Sequence, residues 1–374
     1  MQRLEELYLG SNLLSRLPEN FGQLQELHSL ELGSNSLSNL PQSFEQLYNL
    51  STLDLSYNSL SSLPEGITQL QKLSTLNLSS NALTTLPEYF GQLQSLSKLV
   101  LHDNELKRLP ESIMQLQHLN WLGVDKNSLS ILPEGMTQLQ NLQKLYLAGN
   151  SLSHLPEDFG QLLNLATLDL RNNSLSNLPE NLGQLQRLRL LDLRNNSLES
   201  LPENMIELAE LEELYLSGNP IDTIPVSLIQ EEIVPLETVT EFLIGAIKRG
   251  DEVSIRQLSQ NYSELYDLSL RETADLTRLL LQAGEYAGAQ WAGTSYLEAG
   301  GEELEVRSDL ALAYMLSNQE AKAIATYQNH LTAIDWQGKT GRDIFLENFY
   351  DYAWMDENLD EDMQDRVHEF LLKK

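Results

Sequence analysis

The spacing of asparagine constrains this chain more than any other feature. Asn stands at positions 12, 35, 58, 81, 104, 127, 150, 173, 196 and 219, ten times at an interval of 23 with no insertion or deletion. Proline keeps the same interval at 18, 41, 64, 87, 110, 133, 156, 179, 202 and 225, which accounts for ten of the 12 prolines in the 374 residues. A fixed period of this length means a row of like supersecondary units, none of which can bury its own apolar face. Residues 1 to about 225 must therefore fold by stacking.

Each unit reads LxxLxLxxNxLxxLPExΦxQLQxL, with Φ supplied by Phe44, Ile67, Phe90, Ile113, Met136 or Phe159. In Leu73 to Asn81 the residues Leu73, Leu76 and Leu78 form an inward row, while Thr75, Asn77 and Ser79 alternate outward as in a strand. At roughly 4.8 Å per strand, ten strands predict an inner arc of about 43 Å. The Asn column is expected to turn its amides inward, onto backbone groups left unpaired where the strand bends away. Pro87 is expected at the first position of a short helical turn, with Phe90, Leu93 and Leu96 facing the core.

A unit of this form resembles the leucine-rich repeat family. The resemblance implies an α/β leucine-rich repeat solenoid, with a parallel concave sheet and short convex helical turns. Met1 aligns with Leu24 and Leu47, so the chain begins halfway through a repeat. That start predicts an open core end and points to a longer protein. Glu231 stands where the Leu column should continue, and the solenoid is expected to stop there.

The reading divides the chain into a solenoid over residues 1–235 and an all-α, helical-hairpin region over 236–374. In the second part Gly250, Gly284 and Asn318 are 34 residues apart, as are Ile255, Ala289 and Ala323, and Ala246, Leu280 and Tyr314. This weaker period resembles the tetratricopeptide family of helical hairpins. Ile255 departs from the small residue that family places there, no closing Pro appears, and residues 338–374 fall out of phase. An unrelated helical bundle acting as a C-terminal cap is the alternative.

Composition narrows the function. Lys plus Arg number 24 against 54 Asp plus Glu, a formal net charge of -30, which disfavours nucleic acid and anionic membrane surfaces. The chain has no cysteine, which removes disulfides, thiolate metal sites and cysteine nucleophiles. Leucine-rich repeat ubiquitin ligases of bacterial effectors use such a nucleophile and are excluded. No apolar leader or long uncharged apolar run is present, so the expected location is cytoplasmic.

No catalytic pattern emerges. Gly338, Lys339 and Thr340 match the tail of a phosphate-binding loop, but Ala333 stands where its upstream Gly is needed. The six histidines form no HExxH or other i,i+4 pair. The acidic run from Asp351 to Asp365 lacks the spacing of a calcium loop and reads as a solvated acidic helix start. Neither a cofactor nor a metal is implied.

The outward face of the strands carries what the scaffold does not dictate. Its first four repeats are small and mildly acidic. Repeats five to seven gather Lys98, Val100, His102, Trp121, Lys144 and Tyr146, beside the turn residues Asp103 and Lys126. Aromatic residues flanked by cations on a rigid sheet have the composition of a protein-binding hot spot; the bland account lays Trp121 flat across Gly123 and Lys144 as surface packing. Repeats eight and nine place Asp169 beside Asp192 and Arg171 beside Arg194, either a self-neutralising lattice or a surface for a charged partner.

The reading is therefore a non-enzymatic interaction scaffold that grips a protein partner on its concave face. A small GTPase or a signalling complex is implied as partner by resemblance to the intracellular repeats of Ras-binding scaffolds. Two alternatives stand beside it: a recognition domain of a larger receptor or bacterial effector, and a hydrolase with its site in the helical part.

Overall fold

The computed structural model describes residues 3–221 and, beyond them, helices at Tyr286–Glu298 and Leu304–Leu316 with a few single residues between 224 and 326. Contacts divide the chain into two units, Met1–Thr238 and Val239–Lys374.

The first unit carries one three-residue strand per repeat: β1 Glu6–Tyr8, β2 Ser29–Glu31, β3 Thr52–Asp54, β4 Thr75–Asn77, β5 Lys98–Val100, β6 Trp121–Gly123, β7 Lys144–Tyr146, β8 Thr167–Asp169, β9 Leu190–Asp192 and β10 Glu213–Tyr215. They form one parallel sheet in sequence order. The register never slips, so Leu30, Leu53, Leu76 and Leu99 are direct neighbours. Stacking supplies the burial that a single repeat lacks. Leu7 of the first repeat is only half-buried, whereas its equivalents Leu30 and Leu53 are fully covered by a neighbour on each side.

The asparagines make the expected ladder. Asn58 Nδ2 donates to the Leu32 carbonyl of the preceding repeat at 3.0 Å and to Leu55 in its own at 3.1 Å. Its Oδ1 accepts the Leu37 N–H at 2.9 Å. From Asn35 to Asn219 each amide thus satisfies at least three backbone groups at the bend after the strand, groups that would otherwise be costly to bury. Just before each of these asparagines the backbone turns left-handed, at Ser11, Ser34, Tyr57, Ser80, Asp103, Lys126, Gly149, Asn172, Asn195 and Gly218. Only two of the ten are glycine, the residue that adopts this conformation without strain.

The convex side is built from 3-10 segments, and the placement of proline differs from the expectation. Pro41, Pro64, Pro110 and Pro202 immediately precede five-residue segments. After Pro87 the helical segment is Phe90–Gln92, so Pro87 is not its first residue; its carbonyl accepts the Phe90 N–H at 3.2 Å. A 3-10 turn rises about 2.0 Å per residue against about 1.5 Å for an α-turn, so a few residues suffice to cross the convex side. Phe44, Phe90 and Phe159, with Leu93 and Leu96, are fully buried behind these segments.

The apolar core also runs past the expected stop at Glu231. Leu228, Ile233 and Val234 are buried, and the Ile233 carbonyl accepts the Leu214 N–H of β10 at 3.0 Å. Without that acceptor the edge strand would leave this donor unpaired, which is why the pairing continues one step beyond the last regular repeat.

In the second unit, α1 (Tyr286–Glu298) and α2 (Leu304–Leu316) pack closely. A Cβ added at Gly293 would stand 3.0 Å from Leu310 Cβ, and Gln290 Nε2 donates to the Ala313 carbonyl at 3.1 Å. Ala289 and Ala323 are fully buried. Ala246, Gly250, Ile255, Leu280, Gly284 and Asn318 of the 34-residue register lie outside the described residues, as do the segments at 338–340 and 351–365. Among the described residues no helix is long and apolar enough to cross a membrane.

Candidate binding face on the concave sheet

Parallel pairing in strict register turns the outward positions of the repeats into columns that run across the strands. The first column reads Lys98, Trp121, Lys144, and the second Val100, Gly123, Tyr146, Asp169, Asp192, Tyr215. A third, just past the strands, brings His102, Asp125, Ala148, Arg171 and Arg194 together at the same 23-residue interval. Each step along a column is one strand spacing, about 4.8 Å.

Trp121 is the centre of the first cluster. Its ring lies between two ammonium groups, with Lys98 Nζ 3.9 Å and Lys144 Nζ 5.1 Å from the centroid. Tyr146 tilts against it at 5.8 Å, and the indole Nε1 lies 3.8 Å from where a Cβ of Gly123 would stand. The indole is half-buried. Val100, also half-buried, lines the floor beside it. The indole thus packs beside Gly123 and has two ammonium groups over its ring.

The second cluster borders a groove of about 520 Å³ that runs from His102 across Tyr146 to Arg194, with Lys126, Asp169 and Arg171 on its walls. Asp169 and Asp192 are not part of an exposed lattice; they are 7% and 4% exposed. Each accepts the backbone N–H two residues on, from Arg171 and Arg194 respectively, at 3.2 Å. Arg194 folds back on Asp192, with Nε to Oδ1 at 2.9 Å and Nη2 to Oδ2 at 2.5 Å. Its guanidinium then covers the Tyr215 ring at 4.8 Å. Arg171 spans both carboxylates, 3.4 Å from Asp169 and 3.9 Å from Asp192. The pairs neutralise each other, so the carboxylates act as supports that aim two partly exposed guanidiniums at the groove.

Burial, opposed by Arg171, pushes the Asp169 carboxyl from 3.8 up to about 6. Burial raises Asp125 as well, against His102, whose Nδ1 is 3.7 Å from its carboxylate. Asp125 and Tyr215 belong to this face although sequence reasoning did not single them out. The signal for Asp125 was its place in the same column as His102, one repeat on. Among the described residues no group of three or more His, Asp or Glu is arranged to hold a metal.

Family models match much of this unit. One described as a leucine-rich repeat region covers residues 72–154, a leucine rich repeat model covers 25–83 and 163–221, and a third covers 3–24. No curated protein matches the chain. Among solved structures, the plant peptide hormone receptor RGFR1 in complex with RGF2 is 28% identical with a TM-score of 0.57, over 62% of this chain and 39% of that one. The ectodomain of the receptor kinase GASSHO1/SCHENGEN3 from Arabidopsis thaliana, in complex with CASPARIAN STRIP INTEGRITY FACTOR 2, is 29% identical with a TM-score of 0.54, over 62% and 32%. A leucine-rich repeat protein of Leptospira interrogans is 35% identical with a TM-score of 0.46, over 58% and 67%. The chain spans less than half the length of either plant receptor chain.

Proposed function

Residues 3–221 carry leucine-rich repeats, and from that premise we infer that the chain is a non-enzymatic interaction module whose concave face, at repeats five to nine, binds a protein partner. One observation carries the reading: Trp121, half-buried, stands between Lys98 and Lys144 on the neighbouring strands and against Tyr146. The Leu and Asn columns need no indole there, since Ser29, Thr52 and Thr75 fill the same column elsewhere. Aromatic anchors with cations around them are the residues that dominate binding energy at interfaces. The two plant receptors, both in complex with a second component, support a partner-binding role for a sheet of this kind. A small GTPase or a signalling complex in the cytoplasm falls within the class. The same face would serve equally as the recognition part of a larger receptor. The helical unit, read as tetratricopeptide-like hairpins, would offer a second surface.

The test pairs binding with stability. A partner retained by the intact chain should lose about 2 kcal/mol or more of affinity on Trp121→Ala. The contacts with Lys98 and Tyr146 set the stability cost at about 1 kcal/mol, more than a bare surface site would show. Ser29→Ala, far along the arc, should change neither quantity. A Trp121→Ala protein that unfolds more easily yet binds unchanged would reduce the indole to packing and remove the reading.

A further inference from the structure

Three lysines on this face contradict the charge of the molecule that holds them. Carboxylates outnumber cations 54 to 24 in the chain, yet among the described residues no carboxylate oxygen lies within 4 Å of the ammonium groups of Lys98, Lys126 or Lys144. Arg171 and Arg194 next to them are neutralised from beneath. Lys98 and Lys144 share one indole, their ammonium groups 3.9 and 5.1 Å from its centroid. A protein this acidic has placed three lysines without a carboxylate in contact on one strip, at repeats five to seven, beside Trp121, the one Trp on the described strands.

The strip does not suit a continuous polyanion. Asp103 and Asp125 stand among the lysines, and a net charge of -30 repels a run of phosphates at long range. It suits isolated anionic side chains separated by neutral backbone. We propose that the concave face of repeats five to seven binds an acidic, extended peptide segment, with its carboxylates on Lys98, Lys144 and Lys126 and an apolar side chain or peptide plane laid on Trp121 and Tyr146. The proposal rests on the concave-face reading above and names the chemistry of its partner. Geometry adds a spacing. The strands bearing Lys98 and Lys144 are two steps apart, about 9.6 Å at the sheet repeat of about 4.8 Å. A polyproline II segment rises about 3.1 Å per residue and brings every third side chain to the same side, so acids at i and i+3 meet both lysines.

A random dodecapeptide display library panned on the intact chain tests this. The enriched pool should carry Asp or Glu, with acidic pairs three residues apart. The leading peptide, synthesised, should bind roughly tenfold more weakly to a Lys98→Gln, Lys144→Gln double variant. The same peptide with its acids changed to amides should lose a similar factor on the unaltered protein, which keeps the test independent of how the variant folds. Peptides that require Trp121 but show no acidic bias would overturn the acidic proposal and leave the concave-face reading standing. A pool held equally by Trp121→Ala and by the lysine variant, or no enrichment at all, would overturn both.

Discussion

Asp169 lines the groove, with Arg171, Asp125 and Asp192 among its charged neighbours. Its raised pKa has a definite sign for stability. Below pH 3.8 the group is neutral folded and unfolded; above about 6 it is ionised in both, and the folded state then carries the cost of the buried charge. Between those values the folded protein holds a proton that the unfolded chain has released, so this group's contribution to stability falls as pH rises. Asp169→Asn should therefore stabilise the protein at pH 7, on the order of 1–3 kcal/mol, the attraction to Arg171 being already contained in the raised value. The gain should shrink toward pH 4, as followed by denaturant unfolding across that range. An Asn variant less stable at pH 7 than at pH 4, relative to the parent, would contradict the burial account. Self-neutralisation was one of two readings that the repeated Asp and Arg allowed, but the burial of the carboxylates was not legible, because a sequence shows that Asp and Arg are two apart and not that the Arg folds back over the carboxylate. Trp121, Tyr146 and their lysines were legible, since the strict period named the column before any coordinates did.

At the scale of elements, the convex segments of neighbouring repeats pack tightly on one another. A Cβ on Gly91 would stand 1.9 Å from the Ser112 carbonyl oxygen of the next repeat, and the Gly91 N–H donates to Ser112 Oγ at 3.1 Å. Gln94 Nε2 bridges the same two repeats, to Gly91 O and to Gln115 O at 3.0 Å. Gly91→Ala must push repeats four and five apart and should cost about 1–3 kcal/mol in thermal or chemical unfolding. Gly123→Ala on the sheet, whose Cβ would meet nothing closer than 3.7 Å, should be close to neutral. Equal effects would show that the convex contact yields without strain. The Leu, Asn and Pro columns were readable as scaffold because burial repeats with the period. The second Gln of QLQ was not, since a polar residue on a convex surface gives no hint that its amide spans to the following unit. Nor could Ser, Tyr, Asp or Lys reveal the left-handed turn that glycine marks only at Gly149 and Gly218.

For the whole molecule, the surplus of carboxylates sets how salt acts. Self-repulsion at a net charge of -30 disfavours the compact state, and raising ionic strength from about 0.01 to 0.15 M shortens the screening length from about 30 to 8 Å. The unfolding midpoint should rise by roughly 2–4 °C for each kcal/mol of repulsion relieved, read by calorimetry over a salt series. A midpoint that falls over the same series would mean that exposed ion pairs outweigh the repulsion. The rungs between repeats carry a different implication. They join residues 21, 22, 23, 24 or 26 apart, and these separations recur along the row. A gene that gains or loses one whole 23-residue unit therefore returns each interior rung to an equivalent partner, whereas a single-residue insertion in a strand leaves two neighbours out of step. Length in this protein can change by copy number alone, and each copy brings three new side chains to the concave face, so a recognition surface can be edited one column-step at a time while the scaffold beneath it is inherited unaltered.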